Sequence, residues 1–355
     1  MAGSFAVAQT LAPPPDPRPT QLALLPRPLP GESLLSWVDH VASTFGLSRT
    51  DTAQHLGLHT ASMAKHLLRI NEPDLDHLRA RTGLTSEELS AMTADSGLAK
   101  RATGGRRVPF YAGVQRFMDR NSPACPQCVG ETEGRWQLDW RLAISVFCHR
   151  HRCYLVSQCE CRHRLHPSDR GSASRLVCAT QRSQRLRPCR RLVADLPAIA
   201  LNDEHLAAVG QLIDQRLTDI EAPELNWAMH LVLRVGSERQ IEDADPDVYA
   251  AFSQFCRRRD ALLARLRGQP GMVLINEPAQ ERLILAAVVR IAGALVFADD
   301  LNEQAQRFCE LATPRWDTVR SDILHPRVSC ARLVRAFNTY GMPGKSKWNK
   351  TRTNP

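Results

Sequence analysis

Cys125 and Cys128 are separated by Pro126 and Gln127, and after nineteen intervening residues Cys148 and His151 repeat the spacing. Three thiolates and one imidazole are the donor set that a tetrahedral Zn²⁺ takes. The protein fills all four places, so such a centre has no open position for water and reads as structural. Cys159, Cys161, Cys178 and Cys189 follow, which puts eight of the chain's eleven cysteines between positions 125 and 189. This second group is less regular, because Cys-x-Cys is tighter than the usual pair spacing. It is expected to hold a second Zn²⁺, with His163 or His166 as substitutes for one ligand. Cys153 reads as a packed side chain, since free cysteine is often buried.

The same stretch carries charge. Residues 121–191 hold thirteen arginines, no lysine and five acids, a local excess of eight positive charges in a chain whose net charge is +9. Arginine suits phosphate, so nucleic-acid contact is expected here, with Arg182, Arg185 and Arg187 between the last two cysteines as its centre.

Several classes are excluded. A zinc deaminase needs His-x-Glu ahead of its Pro-Cys-x-x-Cys, and no histidine lies between His77 and His149. There is no P-loop, so the chain is not itself a nucleotide-driven motor. A treble-clef nuclease around His163 and His166 is the one enzyme reading left open, and it is disfavoured. The longest apolar run, Leu283 to Ala298, is broken by Arg290 and falls short of the roughly 18–20 residues of a membrane span. Residues 1–20 lack the charged start of a secretory signal, so a cytoplasmic protein is expected, with metal preferred over disulfides.

The elements that must position these residues are mostly helices. Residues 1–20 are Ala/Pro-rich and read as disordered. A helical domain is expected over 21–95. Leu25-Pro26-Arg27-Pro28-Leu29-Pro30 approaches in extended form, and a helix starts near Glu32 and ends at Gly46. Ser48 with Asp51 opens the next. Gly57-Leu58-His59 then forms the turn of a helix-turn-helix, with residues 60–69 as its recognition helix. Lys65 and Arg69, with Ser62 and His66, are its candidate DNA contacts; a plain helical bundle is the competing reading. Asn71 and Pro73 begin a further helix, and Thr85 with Glu88 makes a capping box. Residues 96–120 read as a basic linker with a short helix. In the zinc region, 121–192, Trp136 and Trp140 are four apart as on one helix face and pack on the metal knuckles. Leu155 and Val156 serve the same small core, and Ala143 to Phe147 form a buried strand or helix end. A C-terminal helical bundle is expected over 195–342. Its helices start near Asn202, Pro223, residue 246 and Pro278, with two more near 315–324 and 327–340. The helix over 279–298 is so apolar that it must be central. A basic tail, 343–355, closes the chain. The fold class is therefore mainly α, with a central zinc-finger region of little β.

Two stretches together resemble a family. Leu25-Pro26-Arg27-Pro28 through Glu32-Ser33-Leu34-Leu35-Ser36-Trp37 is similar to the opening of TniQ proteins, the TnsD-like target selectors of Tn7-related transposons. Cys125-Pro126-x-Cys128, Trp136, Trp140, Cys148-x-x-His151, Leu155 and the following cysteines resemble that family's zinc core. The resemblance covers roughly residues 22–165. It implies a non-catalytic adaptor of a mobile element that binds DNA, or a target-bound guide-RNA effector complex, and recruits an AAA+ ATPase and a transposase. A homodimer is one arrangement it allows. The family's second cysteine pair is normally Cys-x-x-Cys; here it is Cys159-x-Cys161. The alternative function is a zinc-containing DNA-binding transcription regulator.

Overall fold

The computed structural model describes residues 24–58, 69–97, 123–162, 164–165, 177–178, 189–217, 221–265, 280–312 and 331–339. The expected disordered start, residues 60–68 of the recognition helix, residues 98–120 of the basic linker, the helix at 315–324 and the basic tail lie outside these residues.

Prolines 26, 28 and 30 keep the approach to the first helix extended, and Gly31, with φ of 74°, turns the chain at its end. Helix α1 (Leu34–Phe45) starts two residues later than expected, because Ser33 is its N-cap and accepts from the Ser36 amide at 3.3 Å. It ends as expected at Gly46 in the left-handed conformation. Ser48 caps α2 (Arg49–His55), but Asp51 returns its carboxylate to the Ser48 hydroxyl at 2.6 Å and so forms no reciprocal backbone cap. Asp39 and Arg49 lock α1 to α2 with two buried hydrogen bonds of 2.5 and 2.6 Å. The turn after α2 contains Leu56 and Leu58, both buried, around Gly57 at φ 83°. Asn71 caps α3 (Glu72–Thr82), and Thr85 and Glu88 form the expected capping box of α4 (Ser86–Ala91). Leu34, Leu35, Trp37, Val38, Val41, Leu56, Leu78, Leu89 and Met92 make one small core among these four helices.

The middle region is short elements on a cysteine-rich core. Helix α5 (Pro126–Glu131) rises from Cys125. Trp136 and Trp140 do not share a helix face: Trp140 sits in a single 3₁₀ turn, Asp139–Arg141, and Trp136 precedes it. Their rings meet edge to face at 6.0 Å, and both join the core around the first cysteines, as expected. Strands β1 (Phe147–Cys148) and β2 (Cys153–Tyr154) form an antiparallel hairpin in which Cys148 faces Cys153 and Phe147 faces Tyr154. Leu155 packs in the cysteine core, whereas Ile144, Val146 and Phe147 join the C-terminal one. Within the hairpin itself residues alternate sides: Phe147 and Tyr154 join the C-terminal core, and Cys148 and Cys153 join the cysteine core.

The C-terminal helices are α6 (Glu204–Arg216), α7 (Glu221–Val235), α8 (Pro246–Arg265), α9 (Glu281–Val296), α10 (Leu301–Leu311) and α11 (Ala331–Thr339). Asp203, not Asn202, caps α6, accepting from Leu206 N at 2.9 Å; the Asn202 amide is turned to Asp245 at 3.0 Å. All of α9 but Glu281, Leu283 and Ala294 is buried, and it packs on α6, α7, α8 and α10. Gly293 lets α6 close on it, since a side chain there would collide with Val209. The two arginines buried on α9 are answered: Arg282 donates to the carbonyls of Leu142 and Ser145, and Arg290 lies 3.0 Å from Asp203 and 2.8 Å from Asp243. Among the described residues no helix is long and apolar enough to cross a membrane.

Candidate metal centres and the contacts that hold them

The first quartet is assembled from two local pieces. Cys125 and Cys128 sit at the start of α5, and Cys148 and His151 sit at the end of β1 and in the tight loop after it. The His151 Nδ1 atom lies 3.3 Å from Cys125 Sγ, 3.2 Å from Cys128 Sγ and 3.7 Å from Cys148 Sγ, and the Cys128 and Cys148 sulfurs are 3.6 Å apart. A tetrahedral Zn²⁺ with bonds of about 2.3 Å to sulfur and about 2.0 Å to nitrogen requires ligand separations of roughly 3.5–3.8 Å. A disulfide would need sulfurs about 2.05 Å apart. The observed separations, 3.2 to 3.7 Å, come within a few tenths of an ångström of that range, so the donor set fits a tetrahedral metal ion, and these cysteines are free thiols.

The ring of His151 is aimed by a carboxylate. Its Nε2 donates to Glu131 Oε1 at 3.0 Å, which leaves the Nδ1 lone pair facing the three sulfurs. Glu131 is itself held by Arg150 at 3.0 Å. Left to themselves, the sulfurs oppose one another's ionisation. Hydrogen bonds from the Cys128, Cys148 and Cys153 thiols hold Cys125 well below the usual thiol range. Cys128 is pushed far up, first by its bond to Cys125. A divalent cation held by Cys125, Cys128, Cys148 and His151 would supply the charge that lets the three thiols ionise together.

The second quartet also closes. Cys159 Sγ lies 3.7 Å from Cys189 Sγ, and Cys161 Sγ lies 3.6 Å from Cys178 Sγ, with all four sulfurs within 4.8 Å of one another. The tight Cys159-x-Cys161 spacing is accommodated by a turn in which the Arg162 amide donates to the Cys159 carbonyl at 2.8 Å, with Arg162 left-handed at φ 66°. Cys178 and the chain after Cys189 are paired through Cys178 N to Arg191 O and Arg190 N to Cys178 O, each 2.8 Å. The four sulfurs fill the set without a histidine; His163 and His166 lie outside the described residues.

Five of the eight described arginines of this region are paired with acids. Arg135 pairs with Glu32, Arg150 with Glu131, Arg152 with Glu204, Arg164 with Glu281 and Arg191 with Glu160. Glu32, Glu204 and Glu281 come from outside residues 121–191, so a count within that stretch misses their neutralising charge. Of the candidate DNA contacts, Arg69 is exposed and lies 3.3 Å from Asp95. Lys65, Arg182, Arg185 and Arg187 lie outside the described residues.

The metal region is tied to both helical units. Toward the N-terminus, Glu32 and Gln137 form an isolated antiparallel bridge, and Ser33 N donates to Trp136 O at 3.0 Å. Ser36 Oγ donates to Glu32 Oε1 at 2.8 Å and accepts from Trp136 N at 2.8 Å. Toward the C-terminus, Tyr154 Oη donates to Asp245 Oδ2 at 2.6 Å, and Tyr154 N donates to Ile199 O at 2.9 Å. No signal in the sequence marked Tyr154 or Asp245; Glu32 was read only for its place at a helix start.

In comparison with known proteins, the TniQ family model matches residues 23–155. No curated protein matches the chain.

Proposed function

We propose, from the match of residues 23–155 to the TniQ family model, that the protein is a TniQ-type non-catalytic adaptor for choosing transposition targets. It binds DNA or a target-bound guide-RNA effector complex and recruits an AAA+ ATPase and, through it, a transposase, in the cytoplasm. The observation that carries this reading is that the family match spans the N-terminal helices and the first metal quartet, which are in contact. The helices after the Leu25-to-Trp37 opening and the first metal quartet share the Glu32–Arg135 contact. An adaptor has to hold one surface toward its target and another toward its recruited partner, and a buried ion pair between units fixes their relative position.

Two further features support it. Both quartets are four-ligand sets with no place left for a reacting water, as suits metal used to hold structure. Bound Zn²⁺ would cross-link α5 to the hairpin at Cys125, Cys128, Cys148 and His151, and the turn after β2 to Cys178 and Cys189. Leu56 and Leu58 are buried after α2, which is compatible with a helix-turn-helix turning at Gly57-Leu58-His59 and presenting residues 60–69 to duplex DNA.

The test is co-purification of the full chain with an AAA+ ATPase of a Tn7-related element, with and without DNA. Retention of the ATPase, stronger when DNA is present, is the expected result. Binding to DNA with no retention of any such ATPase overturns the adaptor reading and favours a transcription regulator. ATPase and nuclease assays on the same preparation should stay at background.

A further inference from the structure

Cys153 is a fifth thiol beside the first quartet, and its position follows from the hairpin. In an antiparallel pair, residues directly opposite point to the same face. Cys148 and Cys153 are such a pair, so the ligand Cys148 brings Cys153 to the metal side of the sheet. Cys153 is 4% exposed, and its sulfur lies 3.6 Å from Cys125 Sγ. It is not among the four atoms that converge, because Cys125, Cys128, Cys148 and His151 already occupy the corners.

We propose that Cys153 is a reserve ligand of the first centre, donating its S–H to the Cys125 sulfur while that ligand is in place and taking its corner when it is lost. The inference rests on the zinc reading of the quartet. Cys128, Cys148, His151 and Cys153 are again three thiolates and an imidazole, the same donor chemistry. The exchange needs no rebuilding of the backbone: β2 is pinned on both sides, by Cys148 within the hairpin and by an isolated bridge from Cys153 to Ala200. Only the Cys153 side chain must turn, from one staggered position to another. Its proton passes to solvent as the sulfur binds the metal.

The experiment counts zinc in the full-length protein and in three variants purified alike. Wild type and Cys153→Ala should each hold two ions, one for each quartet. Cys125→Ala should still hold two, and Cys125→Ala/Cys153→Ala should lose the first-site ion and hold one. Cobalt substitution gives a second readout. The thiolate-to-cobalt absorption of Cys125→Ala should match that of Cys153→Ala, and the double variant should lose the contribution of the first centre. The proposal is overturned if Cys125→Ala holds one ion like the double variant, or is recovered only as aggregate while Cys153→Ala is soluble. Wild type with no zinc would remove the zinc reading itself, an outcome distinct from failure of the exchange.

Discussion

Glu32 and Arg135 lie 103 positions apart and meet at 2.7 Å, the first with no exposed side-chain surface and the second with 8%. Glu32 Oε2 also accepts from Leu29 N at 3.0 Å, and Arg135 Nη1 also donates to the Arg27 carbonyl at 2.9 Å. The pair thus reads the backbone of the Pro-rich approach from both sides while bridging it to the metal region. Breaking it leaves one buried charge without its partner, which costs about 3–5 kcal/mol. Arg135→Ala and Glu32→Ala should each lower the unfolding free energy by that order. The double variant should cost less than the two losses added. A strictly additive double variant in chemical denaturation would show that the pair does not couple the two units.

Metal removal should unfold the middle of the chain. Binding free energy at a structural zinc site is folding free energy, on the order of 10 kcal/mol. Elemental analysis should find two zinc ions for the two quartets. Cys148→Ser should abolish protease resistance around residues 123–165, whereas Cys161→Ser should release only the second ion. Folded, protease-resistant protein containing no metal would contradict this.

Glu131→Gln tests how His151 is aimed. The amide keeps the shape of the carboxylate but weakens the charge-assisted bond to Nε2. Loss of such an outer partner costs roughly 10-fold or more in metal affinity. Competition with a chromogenic chelator should show the first ion leaving sooner and the second unaffected.

Tyr154 predicts a base-sensitive step. Burial, and then the Asp245 carboxylate beside it, push its phenol well above the ordinary value of 10.0. The unfolded tyrosine therefore ionises first, so the stability it contributes is complete below pH 10 and declines as pH rises beyond it. Tyr154→Phe should cost about 1 kcal/mol at neutral pH. It should also flatten the fall in stability measured between neutral pH and strongly basic solution; an unchanged slope would show that Tyr154 does not titrate in unfolding.

DNA affinity is expected to fall with salt by roughly 0.9 log units per log unit for each phosphate contact. Changing Arg182, Arg185 and Arg187 together to Ala should lower that slope by up to about three contacts and weaken all sequences alike. Lys65→Ala with Arg69→Ala should instead change preference among sequences. If neither set alters binding, target choice comes from a protein or ribonucleoprotein partner.

The sequence by itself determined what depends on neighbours along the chain. The Cys125-to-His151 donor spacing, the Thr85–Glu88 box, the stop at Gly46 and the central place of the apolar helix around Arg290 are all legible, because ligand pairs, caps and helix faces are set within a few residues. The second quartet was legible in composition, and the turn at Arg162 shows why its tight spacing still closes. Trp136 and Trp140 show where local periodicity misleads: four apart in sequence, they meet across a bend instead of along a helix. Only the tertiary structure decided which acids answer the arginines, that Glu131 orients His151, that Tyr154 reaches Asp245, and that Cys153 stands against Cys125. Each of these is a contact between segments whose separation in sequence carries no energy. What selects them is the cost of burying a charge or a polar group without a partner, and that cost exists only once the packing has removed the water.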